Sequence, residues 1–192
     1  GGGWAGIAAA VELTANGAET TLFEAGRGLG GRARGVEIDG RQLDNGQHIL
    51  LGAYRETLAL MRRVGADPDE LFDRLPLQVI DNTGFRLALP RLPAPLNVAW
   101  GLLTAAAVDW KEKLKTAWWM DGIKRQGFRL PREMTVAEWL DGAGQTGTLR
   151  RHLWEPLCLA ALNTPAERAS AQLFANVLRD SLGSSRREDT DL

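Results

Sequence analysis

The sequence predicts an α/β fold in which an N-terminal part with strands precedes a mostly helical part. A glycine-rich turn at the start runs directly into an apolar helix-forming segment, Ile7–Val11, and a short β-branched segment, Thr20–Phe23, follows it. Six of the seven tryptophans lie at or beyond Trp100, where the apolar residues have helical spacing. The two halves of the chain therefore differ in character.

Composition and charge exclude several classes of protein. A net charge of −1 favours no nucleic-acid partner through bulk electrostatics. No uncharged apolar run is long enough to span a bilayer. Cys158 is the single cysteine, which excludes an internal disulfide and fits a reducing compartment. We expect a cytoplasmic protein with no metal site.

Gly1, Gly3 and Gly6 form a G-x-G-x-x-G pattern, with Trp4 and Ala5 between the last two glycines. Such glycines allow a tight turn and a close approach to a pyrophosphate, which the following helix N-terminus attracts. The motif requires a preceding strand. We therefore expect the chain to begin inside a Rossmann-like domain and to be a fragment.

Glu24 stands where the predicted strand Thr20–Phe23 ends. An acidic residue at about this distance from the glycines binds the ribose hydroxyls of a dinucleotide. The alternative is a glycine-rich turn with a surface glutamate. The helix before the strand, the strand itself and the acid at its end together favour a dinucleotide site.

The remaining elements follow from periodicity and turn signals. Gly17 and Gly65 are expected to end two helices, and Asp39-Gly40 and Asn82-Thr83-Gly84 to connect two hairpins. Two S/T-x-x-E patterns, Thr135–Glu138 and Thr164–Glu167, predict helix starts. Helices are predicted for residues 3–16 and 54–64, and strands for residues 36–38, 41–43, 77–80 and 85–89. An apolar stripe with helical spacing runs from Trp100 to Trp118, and Asp109 divides it if two helices form.

The segment Glu24–Arg32 resembles the second motif of the FAD-dependent amine oxidase and phytoene desaturase superfamily. In that motif an acidic strand end, here Glu24-Ala25, is followed by a Gly-Gly-Arg turn, here Gly30-Gly31-Arg32. The resemblance implies FAD as the cofactor. Adjacent glycines suit close backbone approach, and an arginine offers forked donors to phosphate. The alternative is a flexible loop with a solvated arginine.

The segment Asp44–His48 corresponds to one that passes close to the flavin in the same superfamily. The resemblance implies that Gly46 and Gln47 lie beside the ring. His48 either donates to cofactor or substrate, or caps and packs at a strand end. The two interpretations remain open.

Two longer segments, Leu43–Tyr54 and Trp154–Pro165, are similar to the squalene-associated branch of this superfamily. The activity of that branch is hydroxysqualene dehydroxylation, a step toward squalene for hopanoids. The resemblance implies an isoprenoid substrate and peripheral contact with the inner membrane. A carotenoid desaturase is one alternative. A fragment that binds no flavin is another.

We expect residues 1–75 to be the N-terminal part of an FAD-binding domain and residues 76–192 part of a substrate-binding domain. The remaining sheet strands and a C-terminal flavin-contacting segment are expected outside the chain. The Trp100–Trp118 stripe favours core packing, with a lipid-facing surface as the alternative. His152 and Glu155 form either an acid–base pair or a solvated helix face, and Cys158 is expected to be an inert packed thiol. The catalytic residues and the oligomeric state do not follow from the sequence.

Overall fold

A computed structural model of the chain describes residues 1–44 and 50–191 and divides it into two units. The first unit comprises Gly1–Leu50 and Tyr54–Asp73, and the second comprises Leu51–Ala53 and Arg74–Leu192. The predicted boundary between an FAD-binding domain, residues 1–75, and a substrate-binding domain, residues 76–192, stays a prediction.

The first unit opens with helix α1, Trp4–Ala15, for which Gly3 is the N-cap. The helix ends as predicted, because Gly17 has a φ of +83° and its N–H donates to the carbonyl of Thr14. Glycine adopts this left-handed conformation without steric cost. Helix α1 has no buried residue.

Strands β1, Gly35–Ile38, and β2, Arg41–Asp44, form the first predicted hairpin. They pair antiparallel with Val36 opposite Leu43. Asp39 and Gly40 both have positive φ, at 52° and 72°. Positive φ at both central residues defines a type I′ turn, whose twist matches that of the strands.

Two short helices complete the first unit. Helix α2, Arg55–Arg63, confirms the predicted helix that Gly65 ends. Helix α3, Pro68–Leu71, was not predicted; Asp67 caps it by accepting from the N–H of Asp69. An ion pair between Glu12 and Arg63 joins α1 to α2.

The predicted strand Thr20–Phe23 is wrong for this structure. These residues belong to neither sheet, and the side chain of Phe23 is 80% exposed. A strand exists only where a neighbour supplies the ladder of hydrogen bonds, and the described residues place none beside this segment. Thr20 instead contacts the hydroxyl of Thr14 at 2.6 Å.

The structure confirms that the chain combines helices with small sheets. The sheets within residues 1–44 and 50–191 are two antiparallel hairpins. The parallel pairing seen there is a single bridge between Gly3 and Gly30. The Rossmann-like topology of the complete domain therefore stays a prediction.

The second unit begins with the other predicted hairpin, β3, Gln78–Ile80, and β4, Arg86–Ala88. Asp81 organises the turn between them. One carboxylate oxygen accepts from the N–H of Thr83 at 2.8 Å, from its hydroxyl at 2.6 Å and from the N–H of Phe85 at 3.2 Å. Such side-chain acceptors replace backbone partners that a tight turn lacks.

Helices form the rest of the second unit. Asp109 precedes the helix that starts at Trp110 and divides the apolar stripe into two helices; its carboxylate caps this second helix by accepting from the N–H of Lys111. Thr135–Glu138 forms the predicted capping box of the helix that starts at Val136. The bounds are α4, Leu96–Thr104; α5, Trp110–Arg125; α6, Val136–Gly142; a π-helical turn, Arg150–Trp154; α7, Glu155–Leu162; α8, Ala171–Asp180; and a 3₁₀ turn, Arg187–Thr190.

The predicted helix start at Thr164–Glu167 is wrong. Pro165 opens a single turn, in which the N–H groups of Arg168 and Ala169 both donate to its carbonyl. The chain then leaves the helical path, because the carbonyl of Ala169 accepts from Val136. The hydroxyl of Thr164 bonds to the carbonyl of Leu162 and therefore caps nothing.

The core of the second unit is built around aromatic side chains. Trp119 makes edge-to-face contacts with Trp139 at 5.0 Å and with Trp154 at 5.4 Å between ring centroids. Trp139 also meets Phe174 edge-on. Such pairs add to the stabilisation from area burial alone.

The prediction that the stripe from Trp100 to Trp118 packs in the core is wrong. Trp100, Trp110 and Trp118 are all exposed. The tryptophans that pack in the core are the ones beyond that stripe, and the helical spacing could not distinguish an inward face from an outward one. None of the helices in residues 1–44 and 50–191 is long and apolar enough to cross a membrane.

Candidate functional site

A hydrogen bond connects the glycine turn to Glu24. The N–H of Gly2 donates to one carboxylate oxygen of Glu24 at 2.5 Å, and the N–H of Gly26 donates to the other at 2.7 Å. The contact joins residues 22 positions apart. The predicted ribose-binding acid therefore lies directly against the predicted pyrophosphate turn.

The Gly-Gly-Arg turn meets the same glycine turn from another direction. The N–H of Gly30 donates to the carbonyl of Gly2 at 2.8 Å. Gly30 and Gly31 have φ values of +107° and +62°, which side-chain-bearing residues rarely adopt. A Cβ at Gly31 would lie 3.2 Å from the Cα of Gly3. The two predicted motifs thus come together backbone against backbone.

Gly6 is required by the tightness of the turn. A Cβ atom at this position would lie 1.9 Å from the carbonyl oxygen of Gly1. Contacts of this length do not occur, so any other residue must displace the backbone. This crowding explains the third glycine of the pattern.

The N-terminal turn of α1 has backbone N–H groups without partners in the helical ladder. The first intrahelical bond runs from the N–H of Ile7 to the carbonyl of Gly3, so the N–H groups of Trp4, Ala5 and Gly6 precede the helical ladder. These groups and the helix dipole attract a phosphate. Trp4 is exposed at the rim.

The Glu24 carboxylate is held in its charged form. Hydrogen bonds from the backbone of Gly26 and of Gly2 lower its pKa below the ordinary value for glutamate. Each carboxylate oxygen retains lone pairs beyond the one that it uses here. The group can therefore still accept hydrogen bonds from the hydroxyls of a ribose.

The structure brings together most of the predicted cofactor residues: Gly1, Gly3, Trp4, Ala5, Gly6, Glu24, Ala25, Gly30 and Gly31. Arg32 follows the turn and is exposed. The predicted residues Gly46, Gln47 and His48 lie outside the described residues.

Two contributors to the site were missed from the sequence. Gly2 is buried and donates to Glu24, and Gly26 donates to the same carboxylate. A Cβ at Gly2 would lie 2.4 Å from the side chain of Leu29. The sequence signal for the contact between Gly2 and Glu24 was the run of three glycines at the start. The G-x-G-x-x-G pattern requires only Gly1 and Gly3 of this run, so the glycine at position 2 called for another reason.

The second unit encloses a small apolar cavity. Its volume is about 30 Å³, which suits a water-sized group rather than a long hydrocarbon. Leucines from β4, α4 and the π-helical turn form much of the wall, together with Met120 and Trp154. The indole N–H of Trp154 is buried without a hydrogen-bond partner.

His152 and Glu155 do not pair with each other. The imidazole Nδ1 of His152 contacts a carboxylate oxygen of Asp81 and the ring stacks on Phe85 at 5.2 Å, whereas Glu155 accepts from the guanidinium of Arg150 at 2.7 Å. Arg150 also pairs with Asp141. The acid–base hypothesis for these two residues is therefore wrong.

Cys158 is fully buried on α7. Burial is the main cause that raises the pKa of its thiol, and the thiol contacts the carbonyl of Thr164 at 3.6 Å. A thiol that resists ionisation is a poor nucleophile. The structure therefore supports the expected packed thiol.

A glycine turn before a helix, closed by a carboxylate at the ribose position, is typical of proteins that bind dinucleotides. The sequence from residue 4 to residue 187 matches the family described as flavin containing amine oxidoreductase. The match covers nearly the whole chain, so the chain belongs to this family, whose cofactor is a flavin.

Proteins similar to this chain include a hydroxysqualene dehydroxylase and several zeta-carotene desaturases. The chain is 31% identical over 190 residues to hydroxysqualene dehydroxylase of Zymomonas mobilis, a match that covers 95% of this chain and 43% of the relative. It is 28% identical to zeta-carotene desaturase of Synechocystis, over 93% of the chain and 40% of that protein. The desaturase of Zea mays is 25% identical, over 92% and 34%. The chain thus spans about two fifths of the length of the first two relatives.

Proposed function

We propose that this chain forms the adenosine side of the FAD site, and part of the substrate lobe, of an oxidoreductase that acts on a long isoprenoid. One observation carries the proposal. The N–H of Gly2 donates to Glu24 at 2.5 Å, so the residue proposed to bind the ribose is in contact with the turn proposed to bind the pyrophosphate.

The residues fit the adenosine diphosphate half of FAD. The N–H groups at the start of α1 would hold the pyrophosphate, and the Glu24 carboxylate would accept from the ribose. Gly6 and Gly31 let the turns pack closely against one another, because a Cβ at either position would crowd the backbone of Gly1 or Gly3. Arg32, exposed after the Gly-Gly turn, would add charge near the phosphates.

The fold of the first unit supports this role. The unit exposes several apolar side chains, among them Leu22, Phe23 and Leu43. Exposed apolar groups of this kind are usually covered by further protein. We propose that additional strands of a Rossmann-like sheet cover them in a protein of the relatives' length.

Relatives named for hydroxysqualene and for zeta-carotene support the proposed substrate class. We favour reductive dehydroxylation of hydroxysqualene to squalene, because the segments Leu43–Tyr54 and Trp154–Pro165 resemble that branch. A carotene desaturase is the second candidate, on the strength of the matches to cyanobacterial and plant desaturases.

Dehydroxylation replaces a C–O bond by a C–H bond and releases water. The allylic hydroxyl would take up one proton from solvent and leave as water, and the remaining carbon skeleton would carry a delocalised positive charge. The chemistry that a bound reduced flavin would contribute is hydride donation to such a cation. The apolar walls of the second unit would exclude water, which otherwise competes for the cation.

The hypothesis that the second unit lines a tunnel for the substrate rests on its apolar interior. The cavity among Leu77, Leu87, Leu153 and Leu182 has no charged side chain in its wall. An isoprenoid offers few polar handles, so binding depends on buried apolar area. A cavity of about 30 Å³ would have to widen to admit such a chain.

Product analysis tests the function. The experiment uses a protein of the relatives' length that contains this chain and is reconstituted with FAD. It is incubated with hydroxysqualene under reducing conditions and, separately, with zeta-carotene under oxidising conditions. Squalene as the product supports the first candidate, and a more unsaturated carotene supports the second. If neither product forms although FAD is bound, the proposed substrate class is wrong.

A third candidate is a non-catalytic domain that binds no flavin. The absorption spectrum of the purified protein distinguishes it, since bound flavin absorbs in the visible range. A colourless extended protein that also fails to take up added FAD would contradict the proposed cofactor role of Gly2 and Glu24.

A further inference from the structure

The wall of the apolar cavity in the second unit contains a hydrogen-bond donor that the fold leaves unpaired. Trp154 ends the π-helical turn, lines the cavity and is 2% exposed. Its indole N–H is buried and has no hydrogen-bond partner among residues 1–44 and 50–191. A buried donor without a partner costs free energy, so native structures rarely keep one without a reason. The indole N–H is therefore available to a group that enters the cavity.

A hydrogen-bond acceptor belongs to the same wall. Thr116, on α5, also lines the cavity and is 1% exposed. Its hydroxyl donates to the side-chain oxygen of Gln145 at 2.7 Å, so the hydroxyl proton is already used within the protein. The oxygen of that hydroxyl keeps lone pairs with which it can accept a hydrogen bond. The wall thus combines a donor at Trp154 with an acceptor at Thr116.

The size of the cavity limits what can lie between these residues. Its volume of about 30 Å³ equals the share of one molecule in liquid water, so any group inside it is close to the whole wall. The rest of the wall, as the described residues form it, consists of leucine, valine and methionine side chains. The cavity therefore suits one small polar group with apolar surroundings.

The donor and the acceptor discriminate among the polar groups that a ligand could bring. A carboxylate, a phosphate or an ammonium group would be buried without an opposite charge, which costs much free energy in an apolar cavity. A carbonyl could accept from the Trp154 indole but has no proton to donate to Thr116. A hydroxyl does both, since it donates one hydrogen bond and accepts others. A group without oxygen would leave the Trp154 N–H unpaired.

We propose that Trp154 and Thr116 form a recognition site for the hydroxyl group of an oxygenated isoprenoid. The hydroxyl would accept from the indole N–H of Trp154 and donate to the hydroxyl oxygen of Thr116, while the apolar wall would surround the adjoining carbons. The inference rests on the isoprenoid substrate proposed above and deepens it. It makes Trp154 a specificity-determining residue that favours an alcohol over a hydrocarbon such as a carotene.

Ligand binding tests the proposal without any turnover. A protein of the relatives' length that contains this chain and is reconstituted with FAD is titrated by calorimetry with two probes. Farnesol is an isoprenoid alcohol, and farnesene is a hydrocarbon with the same branched carbon skeleton. The measured quantity is the ratio of the two dissociation constants. The parent protein should bind farnesol about tenfold more tightly, because only the alcohol pairs with the indole N–H.

Trp154→Phe removes the N–H and keeps an aromatic ring, so it should abolish the preference for farnesol and change the affinity for farnesene little. Thr116→Val removes the acceptor and should reduce the same preference. The matched control is Trp139→Phe. Trp139 is also buried and also packs edge-to-face on Trp119, but it is outside the cavity wall. The control should keep the parent's preference, and thermal unfolding checks the fold of every variant.

The proposal is overturned if the parent binds neither probe or both equally, if folded Trp154→Phe and Thr116→Val keep the preference, or if Trp139→Phe loses it to the same extent. The outcome is independent of the proposed reaction. If no squalene forms but Trp154→Phe loses the preference, the reaction is refuted and the hydroxyl site is supported. If squalene forms but Trp154→Phe prefers farnesol as the parent does, the reaction stands and the hydroxyl site is refuted.

Discussion

The carboxylate of Glu24 accepts a hydrogen bond from the backbone N–H of Gly2 at 2.5 Å. The side chain that would bind a ribose therefore also braces the turn that would bind a pyrophosphate. Because Gly26 donates to the other carboxylate oxygen, one residue connects three points of the site. A change at Glu24 should thus affect the shape of the site as well as its charge.

Replacing Glu24 by alanine should weaken FAD binding roughly tenfold or more, because it removes a charged acceptor and releases the Gly2 turn. Titration of the apoprotein, extended to the length of its relatives, measures the change. Glu24→Gln keeps the acceptor oxygen but loses the charge, so its loss should be smaller. Glu19→Ala, at an exposed glutamate nearby, should bind as the parent does. Equal affinities for Glu24→Ala and Glu19→Ala would refute the assignment.

The same contacts predict a dependence on pH. The pKa of Glu24 is lowered by the hydrogen bonds from Gly26 and Gly2, so the carboxylate supports the turn at pH values above the ordinary pKa of glutamate. This support should disappear as the pH falls through the lowered pKa of the folded form. Amide exchange or NMR shifts of Gly2 and Gly26, followed across that range, should report the loss, and Glu24→Gln should abolish the transition.

Gly6→Ala should destabilise the first unit by about 1–3 kcal/mol, although alanine is the better helix former. The reason is steric, since the new Cβ would lie 1.9 Å from the carbonyl oxygen of Gly1. Gly28→Ala is the matched control, because a Cβ there has no atom within 4 Å. Thermal unfolding and FAD titration of both variants provide the comparison. A stable, fully binding Gly6→Ala protein would show that the turn has more space than the structure indicates.

The chain of 192 residues alone should bind FAD weakly or not at all. It spans about two fifths of its first relatives, and its two glycine motifs meet through a single parallel bridge rather than through a sheet. A site held together by so few contacts must be ordered when the ligand binds, and the free energy of this ordering lowers the affinity. Calorimetry of the chain against FAD tests this expectation. Tight binding at one equivalent would contradict it.

Local features were predictable because their causes lie within a few residues. The Asp39-Gly40 turn requires positive φ at two positions, and the structure shows it. The strand Thr20–Phe23 depends on a neighbour in space, which no local pattern supplies. The glycine motifs could be recognised singly, but the contact between Gly2 and Glu24 is a property of the folded turn. The roles of Gly46 and His48 stay predictions, since both lie outside the described residues.

The tryptophans illustrate the same limit in the second unit. Trp110 and Trp119 stand on one helix, and hydrophobic spacing alone marks both as candidates for the core. Only the packing of α5 against the rest of the unit distinguishes them: Trp119 contacts two other tryptophans, whereas Trp110 is exposed. Periodicity identifies an apolar face but not what covers it.

Asp81→Ala should lower the midpoint of thermal unfolding by a few degrees, because the turn of the β3–β4 hairpin loses its acceptor and His152 loses its ion-pair partner. Hydrogen bonds from Thr83 are the largest cause of the lowered pKa of Asp81, with smaller contributions from His152. The stabilisation should therefore be complete above the ordinary pKa of aspartate and vanish as the pH falls through the lowered one. Asp81→Asn keeps the acceptor oxygen, so it should be less damaging than alanine while removing the dependence on pH. Equal midpoints for the parent and both variants would show that the turn does not need this carboxylate.

Trp110→Ala and Trp139→Ala should differ sharply in their effect on the second unit. Trp139 is 8% exposed and packs against Trp119 and Phe174, so its removal leaves a cavity and should cost about 3–5 kcal/mol of unfolding free energy. Trp110 is exposed and should cost no more than about 0.5 kcal/mol. Urea unfolding of both variants, followed by circular dichroism, measures the two values on the same chain. A loss at Trp110 as large as that at Trp139 would mean that the outward face of α5 is covered by protein in solution, contrary to its exposure in the structure.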